Sequence, residues 1–124
     1  IMALGKIKAD TLEHSTAGAL DTQYVVNGSA KVTIAANDDA VLFKSFNVSS
    51  GVDEATGDYK YNLTNAITTT TAENCVTACA LGYENIIRVK TADATTSVLD
   101  LHSMNTSGSS ANGWHAAAIH GDLA

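Results

Sequence analysis

Four histidines, His14, His102, His115 and His120, are the side chains here best suited to chemistry, and with Cys75 and Cys79 they raise the question of a metal centre. Zinc needs three or four ligands converging on one point, usually announced by His or Cys pairs at short spacing. His115 and His120 are five residues apart, which sets them on opposite faces of a strand, and the cysteines stand far from both. The pattern argues for exposed or singly hydrogen-bonded imidazoles, and no metal is expected. Residues four apart in a strand are separated by about 13 Å, whereas a disulfide needs Cα atoms within about 7 Å. Cys75 and Cys79 are therefore expected to be two free thiols serving as small buried hydrophobes, with a bridge in a turn or between subunits left open.

Nucleophilic catalysis requires a Ser or Cys held against a base and an orienting group. Serines abound, yet no Gly-x-Ser-x-Gly elbow occurs, and Gly108-Ser109-Ser110-Ala111-Asn112-Gly113 lacks the strand-to-helix setting of such an elbow. Carboxylate pairs such as Asp53 with Glu54 or Asp93 with Asp100 would suit glycoside cleavage, but any acidic β protein contains such pairs. Asp38-Asp39 and Asp53-Glu54 could ligate calcium; without a spaced acidic repeat they read as turn residues. Asn-x-Ser/Thr triplets start at Asn27, Asn47, Asn62 and Asn105, a number expected by chance in a chain so rich in Ser, Thr and Asn. Trp114, beside a polar loop, is the best single candidate for a partner contact, through anchoring or stacking on a sugar, although tryptophan is more often buried. No enzyme activity and no cofactor are expected.

The elements that must carry these side chains are strands. Proline is absent, long helical periodicity is missing, and short runs rich in Val, Ile, Thr, Tyr and Phe recur between Gly, Asn, Asp and Ser clusters. Ile1 to Leu20 has no clean period and reads as an extended arm. Gln23 to Val26, Asn27-Gly28 and Ala30 to Ile34 predict a hairpin with a type I′ turn. Asn37-Asp38-Asp39 predicts a turn, and Ala40 to Val48 a strand buried on both faces or bulged near Lys44-Ser45. Ser49 to Asp58 reads as a loop or hairpin connection. Tyr59 to Thr64 alternates, placing Tyr59, Tyr61 and Leu63 on one face, and Ile67 to Thr71 would extend the sheet. Cys75 to Leu81, Tyr83 to Lys90 and Thr95 to Met104 are further strands, and Asn105 to Gly113 is a loop. Trp114 to Ile119 ends the series as a strand, or as a short helix through Ala116-Ala117-Ala118. The sum is an all-β, compact antiparallel sandwich or barrel-like domain of about seven or eight short strands. An arm over 1–20 precedes a single β domain over 21–124.

At 124 residues and 12.8 kDa the chain has room for one core, and a domain of this size buries roughly two-thirds of its unfolded surface. Many of its hydrophobic residues are alanine and only 6% of residues are aromatic, so burial against neighbouring subunits would add apolar area that the chain lacks. Charged residues are 16%, below the usual figure of about 25%. The net charge is −6 and the seven Lys and Arg are scattered, which argues against nucleic-acid binding through phosphates. No apolar run approaches the ~20 residues that span a bilayer, and the N-terminal residues lack the basic-then-apolar layout of a signal peptide, so a soluble protein without membrane insertion is expected.

Met2-Ala3-Leu4-Gly5-Lys6-Ile7-Lys8-Ala9-Asp10-Thr11-Leu12-Glu13-His14-Ser15-Thr16-Ala17-Gly18, followed by Leu20 to Lys31, resembles the opening of small tail-fibre-like virion proteins of marine bacteriophages. Ser45-Phe46-Asn47-Val48-Ser49-Ser50, Gly57-Asp58-Tyr59 and the closing Gly121-Asp122-Leu123-Ala124 look similar to later landmarks of those proteins. The resemblance implies a fibre or appendage component without enzyme activity, assembled as a homo-oligomer with other virion proteins. Its opening segment, through Leu4, Ile7 and Leu12, would be the assembly part, and the location a virion or extracellular appendage. Two rivals remain: a pilus-like filament subunit polymerising by strand donation, and a carbohydrate-binding module presenting Trp114, Tyr59 or Tyr61 to surface glycans.

Overall fold

The alternation read in the sequence is realised in a computed structural model that describes residues 9–15, 18–21, 28–82 and 84–121. In chain order the strands are β1 (Thr11–His14), β2 (Gly18–Asp21), β3 (Ala30–Ala36), β4 (Leu42–Phe46), β5 (Val48–Ala55), β6 (Asp58–Leu63), β7 (Cys75–Ala80), β8 (Ile86–Val89), β9 (Val98–Met104) and β10 (His115–His120). A 3-10 turn covers Thr71–Glu73. The fold is all-β: two four-stranded antiparallel sheets, ordered β4-β3-β10-β7 and β5-β6-β9-β8, with β1 and β2 paired separately.

The period of two decides which side chains meet. Val32, Ile34 and Ala36 of β3 and Ala117 and Ile119 of β10 are buried from the first sheet; Tyr59, Tyr61 and Leu63 of β6 and Leu99 and Leu101 of β9 are buried from the second. With Ala40 and Ile67 they form one core cluster. Fully burying a large apolar side chain is worth roughly 1.5–3 kcal/mol, so Tyr59, Tyr61, Leu99, Leu101 and Ile119 dominate the stability. The chain passes from first sheet to second at Asn47, whose backbone takes the left-handed conformation (φ 59°). Its side chain closes that corner, accepting from the Asn65 backbone N–H at 2.8 Å and donating to the Asn65 carbonyl at 3.0 Å.

Several expectations are corrected. Ser49 to Ala55, read as a loop, belongs to β5, paired with β6 from Val48↔Leu63 to Ala55↔Asp58; only the turn at Gly57 is a connection. Polar and small residues suit β5 because it is an edge strand whose side chains are mostly exposed. For the same reason β4 is not buried on two faces: Phe43 and Phe46 are 50% and 58% exposed. The register against β3 does shift there, leaving Phe43 without a partner between Lys44↔Ala35 and Leu42↔Ala36. Of Ile67 to Thr71, Ile67 makes a single bridge and Thr71 begins the 3-10 turn, closed by Glu73, whose carboxylate accepts from the Thr70 backbone N–H and hydroxyl. Of Trp114 to Ile119, the stretch from His115 onward resolves as strand rather than helix.

Within the stretch read as an extended arm, β1 and β2 form a hairpin, with Leu12 opposite Leu20. Of the predicted hairpin at Gln23 to Ile34, the second strand exists as β3, flanked by β10 and β4, while Gln23 to Asn27 lie outside the described residues.

Candidate functional site

Three features stand apart from the core. The first is the opening hairpin. Among the described residues neither β1 nor β2 contributes to the core cluster or to the hydrophobics packed on it, and Leu12 is 50% exposed. Of the three residues expected to serve assembly, Leu12 is thus accessible, while Leu4 and Ile7 lie outside the described residues.

The second is aromatic. The Phe43 and Trp114 rings tilt against each other at 54° with centroids 4.9 Å apart, and Trp114 is 43% exposed. Trp114 precedes β10 and its carbonyl accepts from Leu81 N–H at 2.7 Å. Phe43 reaches it from the β4 bulge, and Val41, two residues earlier, is also exposed. Asn37 shapes the preceding turn by accepting from the Asp39 and Val41 backbone N–H groups. The sequence points to Trp114 and to a bulge near Lys44-Ser45, but nothing in it marks Phe43 as the exposed residue that the bulge carries. Tyr59 and Tyr61, by contrast, are fully buried and present no ring to a ligand.

The third is a polar line on the outer face of the second sheet. Asp58 and His102 are register partners on β6 and β9. The Asp58 carboxylate accepts from His102 Nδ1 at 3.1 Å and from Lys90 Nζ at 2.8 Å, and His102 Nε2 lies 3.1 Å from Ser110 Oγ. Burial alone would push the Asp58 carboxyl up, but the Lys90 and His102 hydrogen bonds outweigh it and hold the group below the usual carboxylate range. Ser110 is held over β9 because its loop folds back: Ala111 N–H donates to Ser103 O at 3.1 Å and Asn105 N–H to Ser109 O at 2.9 Å. The β5–β6 turn locks that loop from the other side. There Gly57, at φ +75°, donates its N–H to Asn112 Oδ1 at 2.7 Å and accepts from Ser103 N–H at 2.7 Å. A Cβ at Gly57 would run into the Ser103 carbonyl, so glycine is required.

The line continues to charged groups. Lys60 pairs with Glu54 at 2.8 Å, and Asp93 lies 3.8 Å from both Lys60 and Lys90. Beneath them sits Asp100, 1% exposed, whose two carboxylate oxygens have no hydrogen-bond partner in the protein. Burial raises its pKa to about 6, against the pull of Lys90 and Lys60.

Two histidines, His115 and His102, depart from the expectation of exposed or singly bonded imidazoles, and His120 meets it. His115 is buried with both ring nitrogens engaged, His102 spans Asp58 and Ser110, and His120 donates from Nδ1 to Gly28 O at 2.9 Å. Only the His14 side chain lies outside the described ones. Cys75 and Cys79 are free, as expected, but exposed rather than buried, because β7 turns Val76 and Ala78 toward the core. The candidate calcium and glycosylation residues have local duties: Glu54 binds Lys60, and Asn105 Oδ1 accepts from the Ser107 and Ser109 backbone N–H groups.

Compared with family models, curated proteins and solved structures, the chain matches none.

Proposed function

We propose that this chain is a structural subunit of an oligomeric fibre or appendage, in a bacteriophage virion by the resemblance of its opening residues, and that copies join through the opening hairpin and open sheet edges. This role is mechanical and takes no catalysis. The observation that carries it is the opening hairpin, which adds nothing to the core among the described residues. An isolated two-stranded hairpin is at best marginally stable in water, so β1 and β2 gain from packing on a neighbour. Strands β4, β7, β5 and β8 each border a sheet and offer backbone groups for pairing, a liability in a solitary protein and a joint in an assembled one. The same edges would also serve a head-to-tail filament; a closed ring in electron micrographs favours the virion fibre, and an open helix the filament.

Removing residues 1–21 tests the reading. The core cluster keeps all its members, so the shortened chain should fold and stay monomeric while the full chain assembles. Assembly unchanged by the cut would refute a joining role for the hairpin.

A ligand-binding reading is favoured by the exposed Phe43–Trp114 pair, whose rings could stack on a sugar. Glycan-array binding that disappears in Trp114→Ala would support it.

A further inference from the structure

Beyond that mechanical role, we infer that Ser110, His102 and Asp58 form a nucleophilic relay that makes Ser110 reactive toward carboxylic esters presented at the protein surface. The three side chains stand in the order such chemistry requires. Ser110 Oγ is 3.1 Å from His102 Nε2, and His102 Nδ1 is 3.1 Å from the Asp58 carboxylate. A carboxylate accepts only, so His102 carries its proton on Nδ1 and leaves Nε2 free to accept from the Ser110 hydroxyl. That tautomer is the one a general base needs. Asp58 is a positioning residue: it stays ionised under the hydrogen bonds from Lys90 and His102, and fixes the ring by its register on β6. His102 is sheltered, with 13% of its side chain exposed, while Ser110 is exposed at the surface, so the proton acceptor is protected and the attacking oxygen is not.

The relay is also held in place. The Gly57 and Ala111 backbone bonds secure the Ser110 loop, and Asn85 Nδ2 ties it further by donating to Ser103 Oγ and Asn112 O, each at 3.1 Å. Preorganisation of this kind separates a nucleophile from a serine that meets a histidine in passing.

In the reaction, Ser110 Oγ bonds to the ester carbonyl carbon as its proton passes to His102 Nε2. The adduct collapses by breaking the bond to the alcohol oxygen, which leaves with the proton from His102. Water then attacks the acyl-serine with His102 again as base, releasing the carboxylic acid and restoring Ser110. The substrate is an ester borne on an exposed surface, since Ser110 sits at an open turn.

The test uses the full chain and a fluorophosphonate probe, in which the serine oxygen displaces fluoride from phosphorus, read by intact-mass and peptide mass spectrometry. The expected result is one adduct per chain, at Ser110, lost in Ser110→Ala and formed at least about tenfold more slowly in His102→Gln and Asp58→Asn. Asp58→Glu, which keeps a carboxylate on the β6 side of His102, should label at least about threefold faster than Asp58→Asn; a merely structural role for Asp58 would leave the two folded variants equally slow. Circular dichroism establishes that each variant is folded, and release of nitrophenol from p-nitrophenyl acetate, present in the parent and lost in Ser110→Ala, gives a second measurement on the exposed, easily substituted residue. No adduct on the folded parent, labelling at Ser109 instead, or an unchanged rate in His102→Gln would overturn the inference.

Discussion

The Tyr61 hydroxyl and His115 Nε2 lie 2.5 Å apart inside the core, both side chains fully buried, one from each sheet. His115 Nδ1 donates to the Gly113 carbonyl at 2.8 Å, which leaves Nε2 to accept from the tyrosine. Its ring stacks on Tyr59, centroids 4.3 Å apart, and Tyr59 accepts in turn from Gly113 N–H at 3.2 Å. One polar knot thus joins the two sheets at the level where the Ser110 loop returns to β10.

Tyr61→Phe leaves Nε2 buried without a donor. The expected loss is about 1–3 kcal/mol, measured by urea unfolding at neutral pH. His115 adds a pH dependence: burial lowers its pKa, so the unfolded chain binds the proton more readily and stability falls as pH drops below about 6.5.

Asp100 works in the opposite direction. Its folded pKa, raised to about 6, exceeds the unfolded value of 3.8, so the folded chain holds the proton more tightly and stability declines as pH rises from 3.8 toward 6. Asp100→Asn should therefore stabilise the protein at pH 7.5 by about 1–3 kcal/mol, with the gain shrinking toward pH 4. The variant should also lose stability more steeply on acidification than the parent, because the opposing His115 effect remains. Urea midpoints from pH 4 to 7.5 check both statements.

Trp114 is the sole tryptophan, so its fluorescence reports on the aromatic pair without ambiguity. Its exposure predicts red-shifted emission and ready quenching by iodide in dilute protein. Phe43→Ala should increase the quenching while costing no more than about 1.5 kcal/mol, the upper worth of an aromatic pair.

Much of the fold could be read from alternation. Tyr59, Tyr61 and Leu63 share the buried face expected of them, and His115 and His120 fall on opposite faces of β10. Of the edge strands only β5 escaped, because exposure removes the alternation that marks a strand and leaves it polar enough to resemble a loop; β7 was legible as a strand, but not that it shows its cysteines to solvent while burying Val76 and Ala78 more deeply. The Ser110 line was illegible for a different reason. Asp58, His102 and Ser110 meet through the β6–β9 register and a fold-back loop, and neither leaves a local pattern such as an elbow. A pair of antiparallel strands with charged or imidazole side chains between core positions, Asp58 and Lys60 on β6 and Asp100 and His102 on β9, was the only clue available.

The exposed thiols give a direct check on β7. Both Cys75 and Cys79 should react with a thiol reagent in the folded protein within minutes, giving two equivalents per chain, and unfolding should add none. Protection of either until unfolding would mean that β7 presents its other face.

Sedimentation velocity on the intact chain across a hundredfold range of concentration bears most directly on the claim that copies join. The account predicts a discrete oligomer that persists on dilution and disappears once residues 1–21 are removed. A single species of 12.8 kDa throughout, at the highest concentration as at the lowest, would contradict it.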